Sequence, residues 1–142
     1  ELGRSNCLAL LAEAYGKEGQ AEEGLNVLAE ALAVVHKNGE RFYEAELYRL
    51  KGTLTLESKV TSHKSQVEEA EACFLKAIEI AGREEGKSLE LRATVSLARL
   101  WQQQGKKDEA RHMLAGIYGF FTEGFDTIDL QQAHALLQEL SA

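Results

Sequence analysis

Proline is absent from this chain, and long runs of β-branched residues are scarce. What remains is rich in Ala, Leu, Glu, Gln and Lys, all good helix formers, so an all-α protein is expected and a sheet is not. Basic charge is also in short supply. Sixteen Lys and Arg stand against 23 Asp and Glu, a formal net charge of −7. A surface of that sign releases no counterions from a phosphate backbone, which argues against nucleic acid as a partner. Anionic lipid repels it too. No apolar stretch reaches the roughly 18 residues that span a bilayer, and no signal peptide is visible. No membrane association is therefore expected. The only two cysteines, Cys7 and Cys73, lie among apolar residues. They read as small buried thiols of a reducing compartment, and the expected location is cytoplasmic.

Signals for chemistry are missing as well. No G-x-x-x-x-G-K-[ST] phosphate loop occurs. His36, His63, His112 and His134 fall on different segments without metal-ligand spacing, and neither cysteine has a Cys or His three or four positions away. No metal and no cofactor are expected. The acid pairs Glu22-Glu23, Glu68-Glu69 and Glu84-Glu85 read as solvated faces and helix first turns, where negative charge suits the helix dipole. Nothing supplies the apolar pocket that would perturb a carboxylate for acid–base work. The chain is read as having no catalytic residue and no enzymatic activity.

What is present is a repeat. Leu11-Ala12-x-x-Tyr15 returns as Leu97-Ala98-x-x-Trp101, and each copy is followed seventeen positions later by a leucine, Leu28 and Leu114. A large residue, a small one, then an aromatic one turn on makes a helix face that a second helix can approach closely. Its return implies stacked helical hairpins. Periodicity and glycine punctuation place helices at about 2–17, 20–37, 40–57, 66–81, 88–104, 107–121 and 127–140, with a long polar loop over 58–65. Gly16, Gly19 and Gly105 mark turns, and Asn38-Gly39 stops the second helix. Gly52, inside the third helix, costs about 1 kcal/mol relative to Ala, so another group is expected to approach closely there. Three hairpins leave the seventh helix unpaired. Asp126-Thr127-Ile128-Asp129 resembles its N-cap, and Gln131, Gln132, Gln138 and Glu139 give it the polar outer face of a cap. Tyr118, Phe120, Phe121 and Phe125 are assigned to the core, sealing the sixth helix against the seventh, with a peptide platform as the alternative. With 44% hydrophobic residues, 1–142 suits one domain. Its first residue, Glu1, already stands in a helical pattern, so it is expected to be a piece of a longer protein.

The hairpins resemble the tetratricopeptide (TPR) repeat. Leu8, Leu11, Ala12, Tyr15, Gly24, Leu28 and Ala31 match its pattern in the first unit, and Thr94, Leu97, Ala98, Trp101, Ala110, Leu114 and Ile117 in the third. The middle unit is looser: Leu47, Leu50, Lys51, Leu54, Ala70, Phe74 and Ala77. The family's closing proline is missing. The units, counted from Leu11, Leu50 and Leu97, are 39 and 47 residues long, against roughly 34 in the family. The resemblance implies a TPR-like antiparallel hairpin stack, three hairpins plus a C-terminal capping helix, with long helices and an irregular middle loop.

In that family the first helix of each hairpin lines a concave groove. The matching positions here are Asn6, Ala9, Glu13, Gly16 and Lys17; Ala45, Tyr48, Gly52 and Thr55; and Arg92, Val95, Arg99, Gln102 and Gln103. Asn6, Glu13, Lys17, Tyr48, Arg92, Arg99, Gln102 and Gln103 are the candidate groove residues. Arg92 and Arg99 are seven apart and share a face. With Asn6, Lys17 and Tyr48 they suit a peptide carboxylate or an acidic segment. The alternative is that the arginines pair with Glu90 or with acids of the adjacent hairpin. Arg49 and Glu46 are expected to pair between hairpins.

Longer phrases carry a second resemblance. Glu46-Leu47-Tyr48-Arg49-Leu50-Lys51-Gly52, Ala77-Ile78-Glu79-Ile80-Ala81, Lys87-Ser88-Leu89-Glu90-Leu91-Arg92-Ala93, Ser96-Leu97-Ala98-Arg99-Leu100-Trp101 and Phe121-Thr122-Glu123-Gly124-Phe125-Asp126-Thr127 follow one another in order. Together they resemble the C-terminal repeat tail of bacterial signalling proteins, in which an adenylate/guanylate cyclase or DNA-binding output domain precedes an ATPase module. The resemblance implies a protein–protein interaction and regulatory module whose partner is a protein or peptide, including upstream domains of the same chain. It brings no cyclase or ATPase residues to this segment. The alternatives are self-association into a homo-oligomer, through a face including Leu2, Leu8 and Leu10, and a small-molecule sensor with a pocket near Gly52.

Overall fold

Alanine and leucine recur at helical spacing, and the chain folds into helices wherever they do. The computed structural model describes residues 2–38, 43–58, 62–84 and 86–141, with side chains described for 10–35, 43–58, 62–84 and 86–141. Among these residues there are seven helices and no strand: α1 (Leu2–Lys17), α2 (Ala21–Asn38), α3 (Glu44–Glu57), α4 (His63–Arg83), α5 (Lys87–Gln103), α6 (Lys107–Tyr118) and α7 (Ile128–Ser141). No described helix is long and apolar enough to cross a membrane.

The internal repeat extends to backbone geometry. After α1, Gly19 takes φ +78°, the Gln20 N–H donates to the Tyr15 carbonyl at 2.8 Å, and the Gly19 N–H donates to Gly16 at 3.1 Å. After α5, Gly105 takes φ +81°, Lys106 donates to Trp101 at 2.8 Å, and Gly105 donates to Gln102 at 3.1 Å. Both are Schellman turns, in which a left-handed residue lets the last carbonyls of a helix find donors. Gly16 is not part of the turn itself. It lies in α1, and with Gly24 of α2 it makes room for the Leu54 side chain of α3.

Each helix packs on its chain neighbours. In addition α1 touches α3, α3 touches α5, and α5 touches α7, whereas α2, α4 and α6 do not touch one another. The chain thus forms two layers, with the odd-numbered helices close together and the even-numbered ones spread. The core is correspondingly segmented. Ala12, Leu28, Leu47, Leu50 and Leu54 close α1–α3; Ala70, Phe74, Leu97 and Leu100 join α4 to α5; and Leu91, Ala98, Leu114, Leu130 and Leu136 join α5 to α7. Between α4 and α5 the Trp101 indole N–H also donates to Glu71 Oε1 at 2.6 Å. At Gly52 a Cβ would lie 2.6 Å from the Phe74 ring, so the expected close approach is made by that side chain.

Several expectations need correction. The loop over 58–65 is shorter than expected, because Ser62 caps α4, its hydroxyl accepting from the Ser65 N–H at 3.3 Å. A polar first turn gives no hydrophobic period to read. Likewise α6 stops at Tyr118, and Thr127 precedes α7 as its cap, its Oγ1 accepting from the Leu130 N–H at 3.4 Å. Leu11 is 45% exposed although its counterpart Leu97 is fully buried. Leu97 meets Ala70 and Phe74 of α4, and no described helix covers the same face of α1. The aromatic group is only half core. Tyr118 and Phe121 pack on the α5–α7 cluster, while Phe120 and Phe125 are exposed, with Lys87 Nζ 4.9 Å above the Phe120 ring. The expected polar face of α7 is exposed at Gln131, Gln132, Gln138 and Glu139. The start of the third helix at 40 and the Gly39 stop lie outside the described residues, as do the side chains of Leu2, Leu8, Cys7 and His36.

Candidate functional site

The odd-numbered layer encloses a cavity of about 380 Å3. Leu10 and Glu13 of α1 line it, with Glu46, Arg49 and Leu50 of α3, Leu89 and Arg92 of α5, and Ile128, Asp129 and Gln132 of α7. Tyr43, just before α3, completes the wall. Helical phase explains the placement. Glu46, Arg49 and Leu50 stand three and four apart on α3, and Asp129 and Gln132 three apart on α7, so each helix turns one short stripe inward.

Arg92 organises the charges. Its Nε and one terminal nitrogen donate to both oxygens of Asp129, at 3.3 and 3.0 Å, and the other terminal nitrogen donates to Glu46 at 2.9 Å. Glu46 in turn accepts two bonds from Arg49, at 2.9 and 2.8 Å. Forked pairs of this kind are the stronger charge-assisted bonds. The hydrogen bonds to Asp129, with the charge of Glu46 behind them, push the Arg92 guanidinium above its ordinary pKa against the opposing effect of burial. Arg49 and Glu46 do pair, but along α3 at i, i+3 and not between hairpins. Arg92 makes the cross-helix link.

The structure brings together two of the eight sequence-derived candidates, Glu13 and Arg92. Tyr48 is half-buried and packs against the α1–α3 core and against Ala45 and Ile80, so it acts in packing. Lys17, Arg99 and Gln103 are exposed and Gln102 is half-buried, all outside the cavity. The side chain of Asn6 lies outside the described residues. Glu46, Arg49 and Leu50 escape the sequence reading because the first two are read as an ion pair and the third as a packing position of the repeat, and the α7 residues because α7 is read as a cap alone. An acid in its first turn, Asp129, is the signal that pointed to more.

A second cavity, of about 350 Å3, opens between α2, α3 and α4 beside Leu25, Ala29, Leu32, Lys51 and Thr55. It does not include Gly52, where Phe74 fills the space. Among the described residues no group of His, Cys, Asp and Glu is arranged to hold a metal ion. Cys73 is a free, buried thiol whose pKa burial pushes up. No family model matches the chain, and a search of curated proteins finds no match either.

Proposed function

We propose that this chain is a non-catalytic protein-interaction module, a TPR-like stack of helix pairs that holds a peptide or a segment of a partner protein in the groove of its odd-numbered helices. One observation carries the reading. Every helix that lines the 380 Å3 cavity belongs to the layer whose members touch, and the closer-spaced layer of a curved stack is its concave side. Following the phrase resemblance, we place the module in a bacterial cytoplasmic signalling protein, with its partner among the regulatory or output domains of that protein.

The test uses the cavity rim. Leu10 is 60% exposed and Ile128 69%, so Leu10→Asp with Ile128→Asp changes the groove without touching the core. Peptides selected from a random displayed library against the whole chain are expected to lose at least about tenfold in affinity for the double variant, a difference of about 1.4 kcal/mol. Circular dichroism should be unchanged. Equal affinity for both proteins refutes the groove. Self-association is favoured by one different observation, the exposed Leu11 on the α1 face whose α5 counterpart is covered. Sedimentation at several concentrations separates the two readings, since a strict monomer removes self-association and leaves the groove.

A further inference from the structure

We infer that the groove accepts a basic residue set among aliphatic ones, a lysine- or arginine-bearing segment of a partner, and not an acidic segment. The inference rests on the groove reading above. It starts from which charges in the cavity are already matched. The sequence leaves Arg92 between an acidic ligand and acids of neighbouring helices, and in the structure its guanidinium is held by such acids, Asp129 and Glu46, with Arg49 held by Glu46 as well. Two cations therefore face two carboxylates inside the cavity. Glu13 is a third carboxylate on the same wall, half-buried, and no described residue reaches it with a hydrogen bond or ion pair.

Among the described lining residues, three carboxylates against two guanidiniums leave a formal charge of −1. An incoming carboxylate would have to displace Asp129 or Glu46 from Arg92, or stand among three like charges. An incoming ammonium or guanidinium meets Glu13 without breaking a bond. The apolar part of the wall suits the rest of such a side chain. Leu10 and Ile128 are exposed on the rim, Leu50 is buried beneath, and Leu89 is half-buried. Lysine and arginine lay their methylene stems on apolar surface and keep the charged head in polar surroundings. A cavity of 380 Å3 lies near the small end of the range for ligand pockets, so it suits a few side chains of an extended segment. The net charge of −7 on the chain adds long-range attraction for a cationic partner.

The test titrates three capped octapeptides of alanine and leucine, alike except for a central lysine, norleucine or glutamate, into the isotopically labelled whole chain and follows its amide resonances. The lysine peptide is expected to bind about five- to tenfold more tightly than the glutamate peptide, the size of a half-exposed charge contact. Its advantage should shrink as salt shortens the screening length from about 10 Å at 0.1 M to about 3 Å at 1 M. Glu13→Gln should remove most of the preference with helicity unchanged. A glutamate or norleucine peptide that binds as well as the lysine one, or a preference that survives Glu13→Gln, overturns the inference. If all three peptides shift the cavity residues equally, the groove stands and only the basic occupant falls. If none does so up to its solubility limit, the groove reading fails and takes the inference with it.

Discussion

Replacing Arg92 with methionine keeps the stem of the side chain and deletes three charge-assisted hydrogen bonds. An exposed ion pair contributes about 0–1 kcal/mol, and breaking a buried one costs about 3–5 kcal/mol. The Arg92 side chain is 39% exposed, Asp129 26% and Glu46 16%, so solvent screening moves the cost toward the lower range. We expect Arg92→Met to cost about 1.5 kcal/mol, or about 5 °C in Tm for a chain of this size. The loss should not fall evenly. Glu46 keeps both of its bonds from Arg49, whereas Asp129 is left without its described partner. A double-mutant cycle of Arg92→Met with Asp129→Asn should therefore give a coupling of about 1 kcal/mol, and one with Glu46→Gln about half that. The cycle also cancels the separate benefit of a negative charge in the first turn of α7. Urea unfolding followed by circular dichroism and by the fluorescence of the single tryptophan, Trp101, supplies the numbers. Hydrogen exchange should show α7 losing protection first. A coupling to Asp129 that is zero, or no larger than that to Glu46, would mean that Arg92 does not tie α7 to α3 in solution, and the charge balance of the cavity would fall with it.

Two further perturbations test packing and reactivity. Gly52→Ala sets about 1 kcal/mol of gained helix propensity against overpacking of about 1–3 kcal/mol, because three Phe74 ring atoms lie within 3.0 Å of the new Cβ. Gly116→Ala in α6 meets nothing within 4 Å and keeps the propensity gain. Thermal melts should move down for the first and up for the second, and movement in the same direction contradicts the Phe74 contact. Burial raises the Cys73 thiol pKa, with Glu69 adding to the rise and Lys51 opposing it. Its thiolate fraction at pH 8 is thus below that of a free thiol. Alkylation mapped by mass spectrometry should be at least about tenfold slower than for a small thiol and should accelerate in urea. A free-thiol rate in the folded protein would refute the burial.

The helices were readable because packing against a neighbour needs small and large residues at fixed phase, and that demand leaves a period in the chain. Ala12 and Ala98 are fully buried, as are Leu28 and Leu114, and the glycines one turn beyond the repeated phrase both adopt the left-handed turn. Leu11 exposes the limit of this logic. It has the same local pattern as Leu97, yet burial depends on whether a neighbour stands opposite, and no local pattern encodes that. Ser62 shows another limit. A cap is one hydrogen bond made by a polar residue among other polar residues, and it is indistinguishable by composition from the loop before it.

The groove was half-readable for a related reason. Helical phase puts Glu13 and Arg92 on the groove faces of α1 and α5, but says nothing of what lies across from them. Arg92 and Arg99 share a face of α5, and counted along that helix alone they argue for an acidic ligand. Counted across the helices in contact, the first is matched by carboxylates from α3 and α7, and the second stands outside the cavity. The sign of a groove is a sum over neighbours brought together from residues 13 to 129. Only the relative shift of four helices decides which charges enter that sum. With Asp129 included, the unmatched group among the described lining residues is Glu13, and the preferred occupant changes from anion to cation.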